Sequence, residues 1–236
     1  ASHAYDSIRT PFWIDRMEKS GVAYTRENGL GDPGVTRFRR HFLFLKPDVI
    51  VLYDELAARE PITWTWLLHS HHRLTQPDGA VAVEADNGLA VGRMDLFTSS
   101  VLEVKVTDAF FSPAINWKKR TGPDGKVQEY VNQWHSEFTT PGKSRAQRFL
   151  ALFRITPAGQ EPLPLTRESD GSFTVGAWTI RAELDASQPA RLEVTDPRGH
   201  AVLYDTEAST IEGSTLIRTP GEADRELVDV VPASVR

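Results

Sequence analysis

The chain has 236 residues, no cysteine, 40% hydrophobic and 25% charged side chains, and a formal net charge of -5. This composition excludes a disulfide scaffold, a thiolate zinc site and a cysteine nucleophile, and it is too apolar for a disordered chain. A duplex-binding protein needs a basic excess, and a membrane span needs ~18 consecutive apolar residues; the sequence has neither, so no nucleic acid and no membrane is expected as a partner. The opening residues Ala1-Ser2-His3-Ala4-Tyr5-Asp6 carry no basic n-region and no apolar h-region, and they do not read as a signal peptide. They also lack an initiator methionine, so the chain is expected to be processed or excised from something longer.

Strand signals dominate from residue 35 onward, and helical periodicity is almost absent. Residues 35–46 alternate apolar side chains with Arg37, Arg39 and Arg40. Lys46-Pro47-Asp48 predicts a turn, because proline presets φ and has no N–H to give a ladder. Residues 49–56 resume as strand, so 35–56 reads as a hairpin. Residues 62–72 alternate around Ile62, Trp64, Trp66 and Leu68, which read as one core-facing row. A second hairpin is expected from 80–86 and 89–97 around Asp86-Asn87-Gly88, followed by a strand over 100–107. Residues 111–126 form a long polar connection, of the kind that is either mobile or functional. Strands return over 127–139 and 147–155.

The stretch from Thr156 to Pro164 is rich in proline and polar residues and marks the expected domain boundary. Beyond it come shorter strands at 172–175, 178–184, 190–195, 200–205, 214–218 and 226–231, punctuated by Asp170-Gly171 and Asp196-Pro197-Arg198-Gly199. The predicted fold is all-β: an antiparallel, supersandwich-like β-sandwich over 1–155 and a small C-terminal β-sheet module over 156–236.

No Gly-x-Ser-x-Gly elbow, Walker loop, dinucleotide-binding glycine pattern or His-Glu-x-x-His is present, so serine-hydrolase, phosphoryl-transfer and hydride chemistry have no support. The run Leu68-His69-Ser70-His71-His72 is the first candidate. On a strand, His69 and His71 share a face, which makes them a metal pair, a source of a general base, or a polar strand end. The second candidate is Tyr130-Val131-Asn132-Gln133-Trp134-His135. Alternation puts Tyr130, Asn132 and Trp134 on one face, which suits either a sugar platform or a sandwich core. Trp117 and Arg120 on the adjoining connection offer an aromatic ring and a cation, or a solvated charged loop. Arg37 and Arg39 share a face and either hold a ligand carboxylate or pair across strands with Asp54 or Glu55.

Three phrases carry a resemblance: Gly21-Val22-Ala23-Tyr24-Thr25-Arg26; the run from Arg37 through Phe42-Leu43-Phe44-Leu45-Lys46-Pro47-Asp48 to Asp54-Glu55-Leu56; and Trp66-Leu67-Leu68-His69-Ser70. Together with Gln133-Trp134-His135, they resemble the β-sandwich region of heparinase II/III-like polysaccharide lyases, over about the first two-thirds of the chain. The resemblance implies the C-terminal β portion of an enzyme that cleaves uronate-containing polysaccharides, heparin-like or alginate-like, by β-elimination. It implies an acidic polysaccharide as ligand, an N-terminal α-helical toroid of the same protein as partner, and a periplasmic or secreted location.

In such lyases a cation or amide neutralises the uronate carboxylate, a Tyr or His removes the C5 proton, and an acid protonates the leaving oxygen. That family's sheet-borne catalytic histidine and most of its zinc ligands lie upstream of this segment; here His69 and His71, read from their place on the strand, are the catalytic candidates. Tyr130, Asn132, Trp134, His135, Trp117 and Arg120 are the substrate-wall candidates. His3 stands where a zinc-binding histidine commonly begins this region, with Ala4 in place of the family's usual asparagine, so zinc is implied for the full-length protein. A free-standing carbohydrate-binding or structural β module is the alternative.

Overall fold

The computed structural model describes residues 35–77, 79–109, 119–121, 123–129, 133–205, 208–211 and 214–218; at 119–121, 127–129, 208–211 and 214–218 it describes the backbone alone. The chain divides into two compact units between Gln160 and Glu161. Every sheet pairing among the described residues is antiparallel, and no helix occurs among them.

The first unit contains β1 (Val35–Leu45), β2 (Val49–Ile62), β3 (Thr65–Ser70), β4 (Leu74–Thr75), β5 (Ala82–Asp86), β6 (Ala90–Phe97), β7 (Glu103–Thr107), β8 (Lys119–Thr121), β9 (Val127–Glu129), β10 (Trp134–Thr139) and β11 (Ser144–Pro157). A six-stranded sheet runs β1-β2-β11-β6-β5-β4, a three-stranded sheet runs β3-β10-β7, and β8 and β9 form a hairpin. The β1–β2 turn holds a cis Lys46–Pro47 bond. The β5–β6 turn is closed by side chains: Asp86 Oδ1 accepts the Gly88 N–H at 2.7 Å and Asn87 Oδ1 accepts the Leu89 N–H at 2.9 Å. Gly88 has φ of 81°, which a side chain would strain.

The two larger sheets pack face to face. Leu52, Leu56, Met94, Leu96, Phe149 and Ala151 of the long sheet meet Trp66 and Phe138 of the short one in a single apolar cluster, joined by Trp64 just before β3. Each large side chain sealed there contributes about 1.5–3 kcal/mol of transfer free energy. Trp66 lies at the centre, with its ring edge-on to Phe138 at 6.1 Å and tilted to Phe153 at 6.3 Å. The row Trp64, Trp66, Leu68 is thus core-facing, as its alternation indicates, with Trp64 and Trp66 buried.

One polar element sits inside this interface. Asp54 is 1% exposed on the core side of β2. Its carboxylate accepts from Arg40 Nε at 2.6 Å and Arg40 Nη2 at 2.7 Å, its cross-strand partner on β1. It also accepts from Trp66 Nε1, across the sandwich, at 2.9 Å. The Arg40 guanidinium lies over the rings of both Phe38 and Trp66 at 5.6 Å. These two bonds sets hold β1, β2 and β3 to one another.

The second unit is a meander of β12 (Leu165–Arg167), β13 (Phe173–Val175), β14 (Trp178–Ala182), β15 (Leu192–Thr195), β16 (Ala201–Tyr204), β17 (Ala208–Ile211) and β18 (Ser214–Arg218), in sequence order within one sheet. Phe173, Val175, Ile180, Leu192, Val194 and Tyr204 are its buried row.

Several expected boundaries shift. The single strand expected over 62–72 is interrupted: β2 runs on to Ile62 and β3 spans only Thr65–Ser70. The strand expected over 127–139 is two strands, β9 and β10. The polar connection at 111–126 contains β8, paired with β9. β11 carries past residue 155 to Pro157, so the division falls later than the expected one. The strand expected at 226–231 lies outside the described residues.

Replacing Asp54 with Ala leaves a half-buried guanidinium and a buried indole N–H without their acceptor. Stability is expected to fall by about 3 kcal/mol, read as a lower midpoint in urea unfolding with an unchanged slope. Glu60→Ala, which removes an exposed carboxylate 3.4 Å from Arg145, is the control and is expected to change stability by under ~1 kcal/mol.

Candidate functional site

The two histidine-bearing segments meet on the short sheet. Trp134 on β10 pairs with Ser70 on β3, and His135 pairs directly with His69. Successive side chains of a strand point to opposite faces. Trp134, Ser136 and Phe138 therefore face the core, while His135 and Glu137 face away with His69, Thr107 and Lys105. The imidazoles of His69 and His135 lie 5.7 Å apart, centroid to centroid, tilted by 34°.

Their surroundings differ. His135 is 6% exposed, and Glu137 Oε1 lies 3.2 Å from its Nε2. A carboxylate only accepts, so Nε2 carries the proton. Lys105 Nζ stands 3.9 Å from the other Glu137 oxygen. His69 is on the exposed edge of the pair. Partial burial first, and the neighbouring His135 second, hold the His69 pKa below its usual value. At neutral pH His69 is therefore a neutral imidazole with proton-accepting capacity, beside a histidine that is fixed by a carboxylate.

His71 does not join this pair. β3 ends at Ser70, and His71 and His72 lie in a bend, where the His72 N–H donates to Ser70 Oγ at 3.0 Å. Strand alternation no longer applies there, so the expected His69–His71 pairing is replaced by a cross-strand His69–His135 pairing. After the bend, Arg73 returns over the Trp134 ring, its guanidinium carbon 5.5 Å from the ring centroid. Trp134 is half-buried and packs against the core cluster. His3, Trp117, Tyr130 and Asn132 lie outside the described residues, and Arg120 is described only as backbone within β8.

The arginines of β1 resolve to cross-strand pairing. Arg37 Nη1 and Arg39 Nη1 each lie 3.5 Å from an oxygen of Glu55, and Arg40 clasps Asp54. Glu55, 2% exposed, is also 3.8 Å from His41 Nε2. A second buried charge group had no sequence warning: Asp95 accepts from Arg154 Nη2 at 2.6 Å and from Arg93 Nη2 at 2.9 Å, and Arg93 reaches Glu84 at 2.9 Å. Both arrangements hold sheet neighbours together.

Among the described residues, no three His, Asp or Glu side chains come together as a metal site. A shallow cavity of about 490 Å³ lies elsewhere, lined by Val81, Phe97, Val101 and Leu102 with Thr98 and Ser100. Gln147 ties Thr98 and Ser100 to each other. Sequence reasoning passed over Glu137 and Arg73. Glu137 was legible as the residue two beyond His135, on the same strand face. Arg73 was legible only as the cation closing a His-Ser-His-His run. No family model matches the chain, and no curated protein matches it.

Replacing His135 with Gln removes one of the two causes that depress His69. The His69 titration, followed through its ring proton resonances, is expected to move up toward the ordinary histidine range and to stay below it, because the burial contribution persists. The linked effect on stability has a fixed sign. A depressed folded pKa means that the unfolded chain binds the proton more readily, so the contribution of His69 is present above about 6.5 and is lost as pH falls through the folded value.

Proposed function

We propose that this chain is the β portion of a polysaccharide lyase acting on uronate-containing polysaccharides by β-elimination, and that the short sheet with its adjoining bend forms one wall of the substrate cleft. The observation that supports this reading most is the cross-strand pair of His69 and His135. It unites two of the sequence segments that carry the lyase resemblance, and it sets an exposed imidazole on a sheet face. Elimination needs a base for the proton beside the carboxylate, an acid for the leaving oxygen and a group to neutralise the carboxylate. In this reading His69 is the proton-transfer candidate on the wall. His135 is a positioning residue, held by Glu137 and adding to the burial that lowers the His69 pKa. The remaining catalytic groups and the far wall belong to the α-helical toroid that the resemblance implies.

Of the candidate wall residues, His69 and His135 meet on the outer face at this sheet end, and Trp134 lies next to them in sequence on the opposite, core-side face. The carbohydrate-binding alternative gains less from the fold. Two tryptophans of the Trp-rich stretch, Trp64 and Trp66, are committed to the core.

A titration of the chain with acidic and neutral polysaccharides at low and moderate salt tests the reading. Binding confined to acidic polymers and weakened by salt is expected. The chain alone is expected to release no unsaturated uronide, and a chain extended by the toroid is expected to release it, with His69→Gln lowering turnover by about a hundredfold or more. Equal affinity for neutral polymers, or unaltered turnover in His69→Gln, would overturn the assignment.

A further inference from the structure

We propose that Arg73, seated over Trp134, is the anion-binding arm of this wall and takes the carboxylate of a uronate residue. The proposal rests on the polysaccharide reading above and gives that site its ligand group.

The described arginines of the first unit differ in how they use their donors. Arg40 also lies over aromatic rings, but its Nε and Nη2 are spent on Asp54. Arg37 and Arg39 face Glu55. Arg93 and Arg154 share Asp95, and Arg145 faces Glu60. Arg73 is exposed, and its contact among the described residues is the indole of Trp134, with no carboxylate beside it.

An arginine side chain in water samples many rotamers, and freezing them on ligand binding costs affinity. Stacking on a ring removes part of that cost beforehand. The ring quadrupole attracts the cation without neutralising it, so the N–H fork that matches a carboxylate is not occupied by the ring. Trp134 is suited to this because it is partly buried and packs against the core cluster, which restrains the ring. The bend that brings Arg73 back is itself held, since the His72 N–H donates to Ser70 Oγ, and Ser70 is the cross-strand partner of Trp134. Arg73 therefore stands at the same sheet end as His69, past Ser70 where β3 ends, but on the Trp134 side of the sheet. His71 and His72, both exposed, flank it as further N–H donors.

A planar carboxylate and a sulfate ester offer the same oxygens to this fork, and two polymers separate them: an unsulfated polyuronate, and dextran sulfate, which has no uronate. Affinities are measured by calorimetry for the full chain and for Arg73→Gln, Arg73→Lys and Arg167→Gln. Arg167 is the control. It removes the same charge and a similar stack, over Phe173 in the second unit. Circular dichroism confirms the fold of each variant.

For the polyuronate, Arg73→Gln is expected to weaken binding about tenfold, as loss of a charge-assisted bidentate pair does. Arg73→Lys is expected to restore only a small part, because it returns the charge without the fork. Arg167→Gln is expected to stay within about twofold. Equal losses in Arg73→Gln and Arg167→Gln would reduce the effect to bulk charge and overturn the proposal. So would full rescue by lysine, or an Arg73 dependence confined to dextran sulfate. Unaltered polyuronate binding in Arg73→Gln would overturn the arm alone, whereas no binding of any acidic polymer by the unaltered chain would overturn the polysaccharide reading beneath it.

Discussion

The first unit depends on a single buried carboxylate. Asp54 receives two N–H groups from Arg40 on the neighbouring strand and one from Trp66 on the opposite sheet. An ionised carboxylate in an apolar interface is costly unless its oxygens are filled, and here three donors fill them. The consequence is geometric. Hydrophobic contacts allow sheets to slide, because one apolar side chain packs nearly as well as the next. A hydrogen bond from an indole N–H to a carboxylate has one register. It sets where β3 lies across β2, and β3 in turn sets β10 by pairing, so the alignment of His69 with His135 follows from a bond made on the other face of the same sheet.

The unequal lengths of the two sheets shape what is left outside. β1, β2 and β11 are 11 to 14 residues long, whereas β3, β7 and β10 have five or six. A short sheet cannot cover a long one. Phe42 and Phe44, on the same face of β1 as Arg40, remain 63% and 48% exposed, while Phe38 at the other end of that row is half-buried. The short sheet thus concentrates both the core seal and the polar outer face into a few residue pairs, and its ends pass straight into bends. That is where side chains such as Arg73 can turn back over the sheet edge.

Local pattern carried much of the fold. Residues 35–56 were readable as a hairpin because Pro47 interrupts two long β-favouring runs, and Asp86-Asn87-Gly88 announced the second hairpin by its turn chemistry. The regular spacing of strands after residue 165 likewise reflects a meander, in which each strand pairs with its sequence neighbour. The elements that escaped were short. β4, β12 and β17 have two to four residues, too few to express a period. The candidate site was half legible for a different reason. Residue type and alternation identified His69, Trp134 and His135 one by one, but their meeting is a long-range strand pairing, and alternation within one segment says nothing about the register between two. His71 shows the converse failure: alternation was extended past the end of the strand that supports it.

The charge arithmetic of the site follows from the same pairing. Among the described residues of the first unit, four arginines sit at sheet positions where a neighbouring strand supplies a carboxylate: Arg37 and Arg39 to Glu55, Arg40 to Asp54, Arg154 to Asp95. A guanidinium so placed has its donors directed along the sheet, and an incoming anion would have to displace an internal acid that is already desolvated. Such a cation contributes to the field at the surface but not to recognition. Recognition of an anion requires a guanidinium that is ordered without being neutralised. Aromatic stacking supplies order without negative charge, because a ring quadrupole orients the cation and leaves its N–H edge unfilled. In this unit the combination arises at Arg73, past the end of β3: among the described residues no carboxylate is paired with it, and its guanidinium lies over the indole of Trp134.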